Sequence, residues 1–271
     1  MTEAEDLLRR LGAGSGQVLP IAEAALAFAA LARPGLELTF YRAHLSVLAR
    51  AAAAMGASTP AERAAALSAV LSQQYGYRGD IATYDDLANA DLTRVIDRRR
   101  GLPVTLGILY LTVARSQGWT ASGLNFPGHF LVGLGSGTER IILDPFDRGA
   151  VCDRARLQTL LAAVEGETTK LHPDHCRPVD DRDVVLRLQN NIKMRLTRAG
   201  ETEQAVDILD RMLLIAPDYA DLWSEQAQLN ATLGRLTAAR AAAEQAITHA
   251  DGEGERARYA ALLRRFKSQL N

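Results

Sequence analysis

Residues 97–146 read DRRRGLPVTLGILYLTVARSQGWTASGLNFPGHFLVGLGSGTERIILDPF, and the fold is decided here. Gly101-Leu102-Pro103 predicts a helix start, because proline suits a first-turn position whose amide would bond nothing within the helix. Gly118 predicts its end. Between them Val104, Leu106, Ile108, Leu109, Leu111 and Val113 cover more than one face, as in a helix buried inside a core. Two strands follow at about 129–134 and 140–144, flanking the turn-forming Gly135-Ser136-Gly137-Thr138. With Ser136 and Gly137 as turn residues, His129 falls directly across from Asp144. An imidazole beside a carboxylate is the arrangement that fixes a histidine tautomer in acyl-transfer enzymes.

Upstream, three helices are predicted. The first spans 18–33 and is stopped by Pro34-Gly35; the second runs from about 37 to 54. The third opens at Thr59-Pro60-Ala61-Glu62, an N-cap with proline in the first turn, and reaches about Tyr75. His44, alone on the mostly apolar second helix, is expected as a hydrogen-bonded core or boundary residue rather than a ligand. Tyr75 to Asp80 breaks the helical pattern, and Tyr84 to Asn89 is a loop leading into a short helix at 91–97. Arg98-Arg99-Arg100 stands at a helix entrance, either as an anion site or as a solvated charge run paired with Asp97.

Downstream, 153–165 is a helix with Leu157, Leu160, Leu161 and Val164 inward. The polar stretch 166–183, with Pro173 and Pro178, is the expected domain joint. It contains His172, His175 and Cys176, but a fourth ligand at zinc spacing is missing, so no metal is expected, and no cofactor is called for. The carboxyl-terminal third repeats at an offset of 34: Leu188 aligns with Leu222, Gly200 with Gly234, Ala205 with Ala239 and Leu213 with Ile247. That is the tetratricopeptide period. Trp223 occupies that motif's tryptophan position, Asp251 replaces its second proline, and a capping helix is predicted at 255–270.

Among 271 residues the formal net charge is −1, which gives neither a nucleic-acid nor a membrane-surface footprint. No apolar run is long enough to span a bilayer, and MTEAEDLLRRLG lacks the layout of an export signal. Two cysteines without framework spacing fit a reducing compartment, so a cytoplasmic location is expected.

The chain resembles the SirB1-like proteins in Arg99-Arg100-Gly101-Leu102-Pro103-Val104-Thr105-Leu106, in Phe126-Pro127-Gly128-His129-Phe130-Leu131-Val132 and in Leu143-Asp144-Pro145-Phe146. The resemblance implies a mainly helical α+β fold: a transglutaminase- or papain-like core with a small antiparallel sheet over 1–165, a linker over 166–183, and tetratricopeptide-like helices over 184–271. It also places the loop of Tyr77 and Tyr84 beside the groove, where the two rings either line a partner site or pack the loop on the core; Arg99 and Arg100 are binding candidates from the arginine run itself. Trp223 is the matching candidate in the repeats. Catalytic members of the wider superfamily carry a cysteine at the start of the core helix. Counting back from Gly118 puts Pro103 there, and a slip of two residues puts Thr105.

Two functions follow. In the first, the core has lost thiol catalysis, His129 and Asp144 remain as a relic pair, and the repeats bind an unidentified protein or peptide in a regulatory role. In the second, the chain is a hydrolase or acyl transferase in which Thr105 attacks, His129 takes its proton and Asp144 orients the ring.

Overall fold

The computed structural model describes residues 2–14 and 19–270. Helix α1 (Glu3–Ala13) opens on a capping box, in which the Thr2 hydroxyl accepts from Glu5 N–H and the Glu5 carboxylate accepts from Thr2 N–H. Contacts divide the chain into two compact units, Val18–Leu188 and a second made of Met1–Gln17 with Gln189–Asn271. The sequence had put the joint at 166–183 and grouped residues 1–17 with the core.

In the first unit α2 (Ile21–Ala32), α3 (Thr39–Ala53) and α4 (Pro60–Leu67) match the three expected helices. The expected first residue of α2, Val18, lies outside the described residues. Thr59 and Glu62 form a second capping box at α4, whose continuation, Ser68–Gln74, winds as a π-helix. Strand β1 (Arg78–Gly79) pairs in parallel with β2 (Arg100–Gly101), and α5 (Leu92–Arg98) lies between them in sequence. Helix α6 (Pro103–Ser116) is buried on nearly every side, from Pro103 to Ala114, and Gly118 follows it at φ 71°.

Strands β3 (Ala121–Leu124), β4 (Leu131–Leu134), β5 (Ile141–Asp144) and β6 (Ala150–Val151) form one antiparallel sheet in that order. The fold is therefore mainly helical α+β with a small antiparallel sheet. The sheet's own cluster joins Leu124, Phe126 and Leu131 to Leu157 and Leu161 of α7 (Arg154–Glu165) and to both cysteines. The segment expected as a linker is stitched to this unit. Cys176 packs in that cluster, Pro178 bridges to Leu124, and Arg115 grips Asp181 through two bonds of 2.9 and 2.8 Å.

Helix α8 (Asp181–Arg198) runs across the division between the units. In the second unit α9 (Thr202–Ile215) and α11 (Leu236–Thr248) open at the same 34-residue offset that relates Gly200 to Gly234, both at positive φ. Between and after them come α10 (Ala220–Thr232) and α12 (Glu253–Leu270). Alanines 227, 239, 242 and 243 pack with Phe266, and Ala220 and Ala246 with Tyr259. Helix α1 joins this unit because residue 12 is glycine: a Cβ there would stand 2.7 Å from the Ile215 carbonyl oxygen, so only a bare backbone approaches α9 this closely. No helix among the described residues is long and apolar enough to cross a membrane.

Candidate functional site

The start of α6 and the turn before β4 are brought together by one ring. Phe130, 1 % exposed, lies against the backbone of Gly107 on α6 and Gly123 on β3, at both of which a side chain would collide with it. The residue before it, His129, is thereby fixed beside the sheet. Its N–H donates to Phe126 O at 3.1 Å, Gly128 turns the chain at φ 64° against Val164, and Arg187 donates to its carbonyl at 2.7 Å.

His129 Nε2–H donates to Asp144 Oδ1 at 2.9 Å. The structure brings these two predicted residues together, but not by the predicted register. The ladder pairs Val132 with Leu143, Gly133 with Ile142 and Leu134 with Ile141, a shift of two from the expected pairing, and β4 begins only at Leu131. The cause is the connection. Gly135 N–H leaves the hairpin to bond Thr120 O at 2.8 Å and Gly137–Glu139 winds as a 3-10 turn, so the loop is longer than two residues. A shift of two preserves which face each residue occupies, and the side chains still meet.

Asp144 is 2 % exposed and accepts on both oxygens: Oδ1 also takes Phe146 N–H at 3.0 Å and Asp147 N–H at 3.2 Å, and Oδ2 takes Arg156 at 3.4 Å. Burial, the largest influence, raises its pKa. The hydrogen bond and charge of His129, with Asp147 and Arg156, outweigh burial and hold the carboxyl below its ordinary value. Arg156 is itself tied to Asp147 at 2.5 Å. The other imidazole nitrogen, Nδ1 of His129, makes no hydrogen bond among the described residues. In the neutral ring it is the acceptor, and the side chain is 17 % exposed.

Phe146 sets its ring edge against His129 at 6.1 Å and against Tyr84 at 5.8 Å, and it covers Gly79, whose N–H donates to the Phe146 carbonyl at 2.8 Å. Tyr84 is half open to solvent in an exposed loop with Ile81 and Leu87. Asp80, 1 % exposed, pins that loop by accepting from Thr83 and Arg98.

The remaining candidates are placed elsewhere. The Thr105 hydroxyl is fully buried and donates to the Asn89 carbonyl at 2.8 Å, not to the histidine–aspartate pair. Pro103 is also buried, at the first turn of α6. Tyr77, fully buried, stacks under the Arg99 guanidinium at 4.8 Å and donates to His44 Nε2 at 2.8 Å, while Arg99 donates to both. His44 is thus the hydrogen-bonded boundary residue expected of it. Arg100 is exposed on β2. Trp223 sits among packed helices with its N–H spent on Pro217 O at 2.8 Å. Cys152 and Cys176 are free and buried; burial, then the charge of Asp144, pushes the Cys152 thiol up to about 11. No group of three or more His, Cys, Asp or Glu among the described residues is arranged to hold a metal ion. Phe146 and Arg156, which complete the surroundings of the pair, were not singled out from the sequence as site residues. Asp147 and Arg156 lie 12 residues or fewer from Asp144, but no period or motif marks them.

A helix buried at its proline-led start, faced by a hairpin that delivers histidine and aspartate, is what a family model described as "Transglutaminase-like superfamily" matches over residues 39–190. The chain belongs to that superfamily. The chain is also similar to a UPF0162 protein of Vibrio cholerae, 35 % identical over 147 residues, or 54 % of each chain. A UPF0162 protein of Xylella fastidiosa is 29 % identical over 182 residues, covering 65 % of this chain and 64 % of its own. Mouse F-box only protein 21 is 30 % identical over 185 residues, covering 62 % of this chain and 28 % of its own. The matches thus span about half to two thirds of the bacterial relatives and under a third of the mouse one.

Proposed function

We propose that this is a SirB1-type member of the transglutaminase-like superfamily that no longer performs thiol catalysis and acts in the cytoplasm as a protein-interaction or regulatory factor through its tetratricopeptide-like repeats. One observation carries the reading: the start of α6, where the resemblance puts the catalytic cysteine, has no nucleophile ready to serve. Pro103 has none, and the Thr105 hydroxyl is committed to a backbone carbonyl. Cys152, packed in the sheet's apolar cluster with its pKa near 11, is protonated at neutral pH and no nucleophile. What remains of the site is a buried, charge-stabilised pair that anchors the hairpin to α7 through Arg156.

A second reading, the Thr105 hydrolase or acyl transferase, has one observation in its favour, the open Nδ1 of His129 held in the tautomer a general base uses. A single assay separates the two. Full-length protein and His129→Ala are offered activated aryl esters and glutamine amides, and release of aryl alcohol and of ammonia is followed. The interaction reading expects background rates in both; turnover that disappears with His129→Ala, and with Thr105→Val, overturns it.

A further inference from the structure

Arg78 and Arg100 are partners in the parallel β1–β2 ribbon. Paired residues of neighbouring strands project from the same face, so two guanidinium groups share one side of the ribbon. Arg78 is half-buried and Arg100 exposed, and neither side chain makes a hydrogen bond or ion pair among the described residues. Like charges set beside each other destabilise a ribbon.

The carboxylates nearby in sequence are already engaged. Asp80 and Asp86 take Arg98 at 3.0 and 3.3 Å, and Asp97 takes the Tyr41 hydroxyl at 3.2 Å. Neither Arg78 nor Arg100 is in ion-pair contact with a carboxylate among the described residues.

The backbone holds them in register at some expense. Arg99, between α5 and β2, adopts φ 60°, a left-handed conformation that costs a non-glycine residue roughly 1–2 kcal/mol. It is locked there by the Tyr77 ring and by its bonds to Tyr77 and His44. Three ladder-like bonds flank it: Arg78 N–H to Arg99 O at 3.1 Å, Asp80 N–H to Gly101 O at 3.3 Å, and Leu102 N–H to Asn89 O at 3.0 Å.

We propose that Arg78 and Arg100 form a two-guanidinium clamp for a phosphate group. Charge decides for phosphate over carboxylate: a phosphate monoester carries about −1.5 to −2 at pH 7 and neutralises both arginines, whereas a carboxylate neutralises one. Each guanidinium offers a planar fork of donors to the oxygens of that group. Successive residues of a strand face opposite sides, so the clamp opens on the face of the ribbon away from the Phe146 ring that covers Gly79. It depends neither on catalysis at His129 nor on what the repeats bind.

The test titrates the full chain separately with inorganic phosphate, O-phosphoserine and acetate, by calorimetry and by the arginine Nε–H signals in NMR. Saturable phosphate binding is expected, with acetate weaker by roughly tenfold or more and both weakening as salt rises. Equal affinity for the first two titrants identifies free phosphate as the source, and tighter phosphoserine identifies a phosphate ester. Arg78→Gln and Arg100→Gln each lower the affinity by roughly tenfold, while Arg94→Gln, at an exposed position of the otherwise largely buried α5, leaves it unchanged. Thermal unfolding without phosphate checks the fold, and Arg100→Gln is expected to match or exceed the parent because a repulsion is relieved. Absence of saturable phosphate binding, acetate binding as tightly as phosphate, or retention of binding in either glutamine variant overturns the clamp.

Discussion

The imidazole of His129 and the carboxylate of Asp144 meet at 2.9 Å across a hairpin whose ladder does not pair them. Asp144 gains more than this one bond. Two backbone N–H groups and Arg156 converge on it, and together with His129 they hold its pKa down in spite of burial. A carboxyl whose folded pKa lies below its unfolded value contributes stability that is complete above about 4 and is lost as the pH falls through the folded value. Asp144→Asn is therefore expected to cost about 3 kcal/mol at pH 7, and much less at pH 2. Urea unfolding of both proteins at the two pH values measures this; an equal cost at both removes the charge from the explanation.

Cys152 lies near the same carboxylate with the opposite consequence. Burial first, then Asp144, raises its pKa to about 11, so the thiol is almost wholly protonated at pH 7.5. Iodoacetamide is expected to leave both native cysteines unmodified over the time in which the unfolded chain reacts fully, as mass spectrometry would show. Rapid alkylation of native Cys152 would mean an accessible thiolate near Asp144 and would count against the interaction reading of the core.

Helix α6 was legible because proline, glycine and an unbroken apolar run all act within one segment. The histidine–aspartate pair was legible for a different reason: alternation fixes the face of each residue, and an error of two in register leaves faces unchanged. Strand β3, with Gly123 in its four residues, and the two-residue strands β1, β2 and β6 were missed, since so few residues display no period. Helix α1 carried a readable signal in Thr2 and Glu5, the spacing of a capping box, but its allegiance to the second unit comes from a close approach at Gly12 that no periodicity announces. The commitment of Thr105 was equally beyond sequence reasoning, for its hydroxyl is satisfied by the carbonyl of Asn89, in a loop that no motif ties to α6.

Gly107 offers a test in which the sign of the effect is informative. Replacing a mid-helix glycine by alanine ordinarily stabilises by about 1 kcal/mol. On α6 the added methyl would run into the Phe130 ring, which is confined on its other side by Gly123. Gly107→Ala is expected to destabilise by about 2 kcal/mol, and Gly107→Ala with Phe130→Leu to recover part of the loss. Chemical denaturation of the two variants decides it; a stabilised single variant would show that the ring moves freely and does not set the position of His129.

His44 gives a second, separate pH window. Its Nε2 accepts from Tyr77 and faces Arg99, and burial followed by the Arg99 charge lowers its pKa from the ordinary 6.5. The carboxylate of Asp97 acts the other way but does not prevail. The unfolded chain then binds the imidazole proton more readily than the folded one, so stability is full above about 6.5 and declines as the pH falls toward the lowered folded value. Unfolding measured from pH 7.5 to 5 is expected to show this loss, and His44→Gln, which presents an uncharged acceptor, to flatten it. The same curve in Arg99→Gly separates charge from strain. Glycine relieves the left-handed backbone at φ 60° while removing the guanidinium, so Arg99→Gly is expected to be about 1 kcal/mol more stable than Arg99→Ala and to move the His44 transition upward in pH. If alanine and glycine are equally stable there, the backbone at residue 99 relaxes on substitution, and the register that sets Arg100 beside Arg78 does not depend on it.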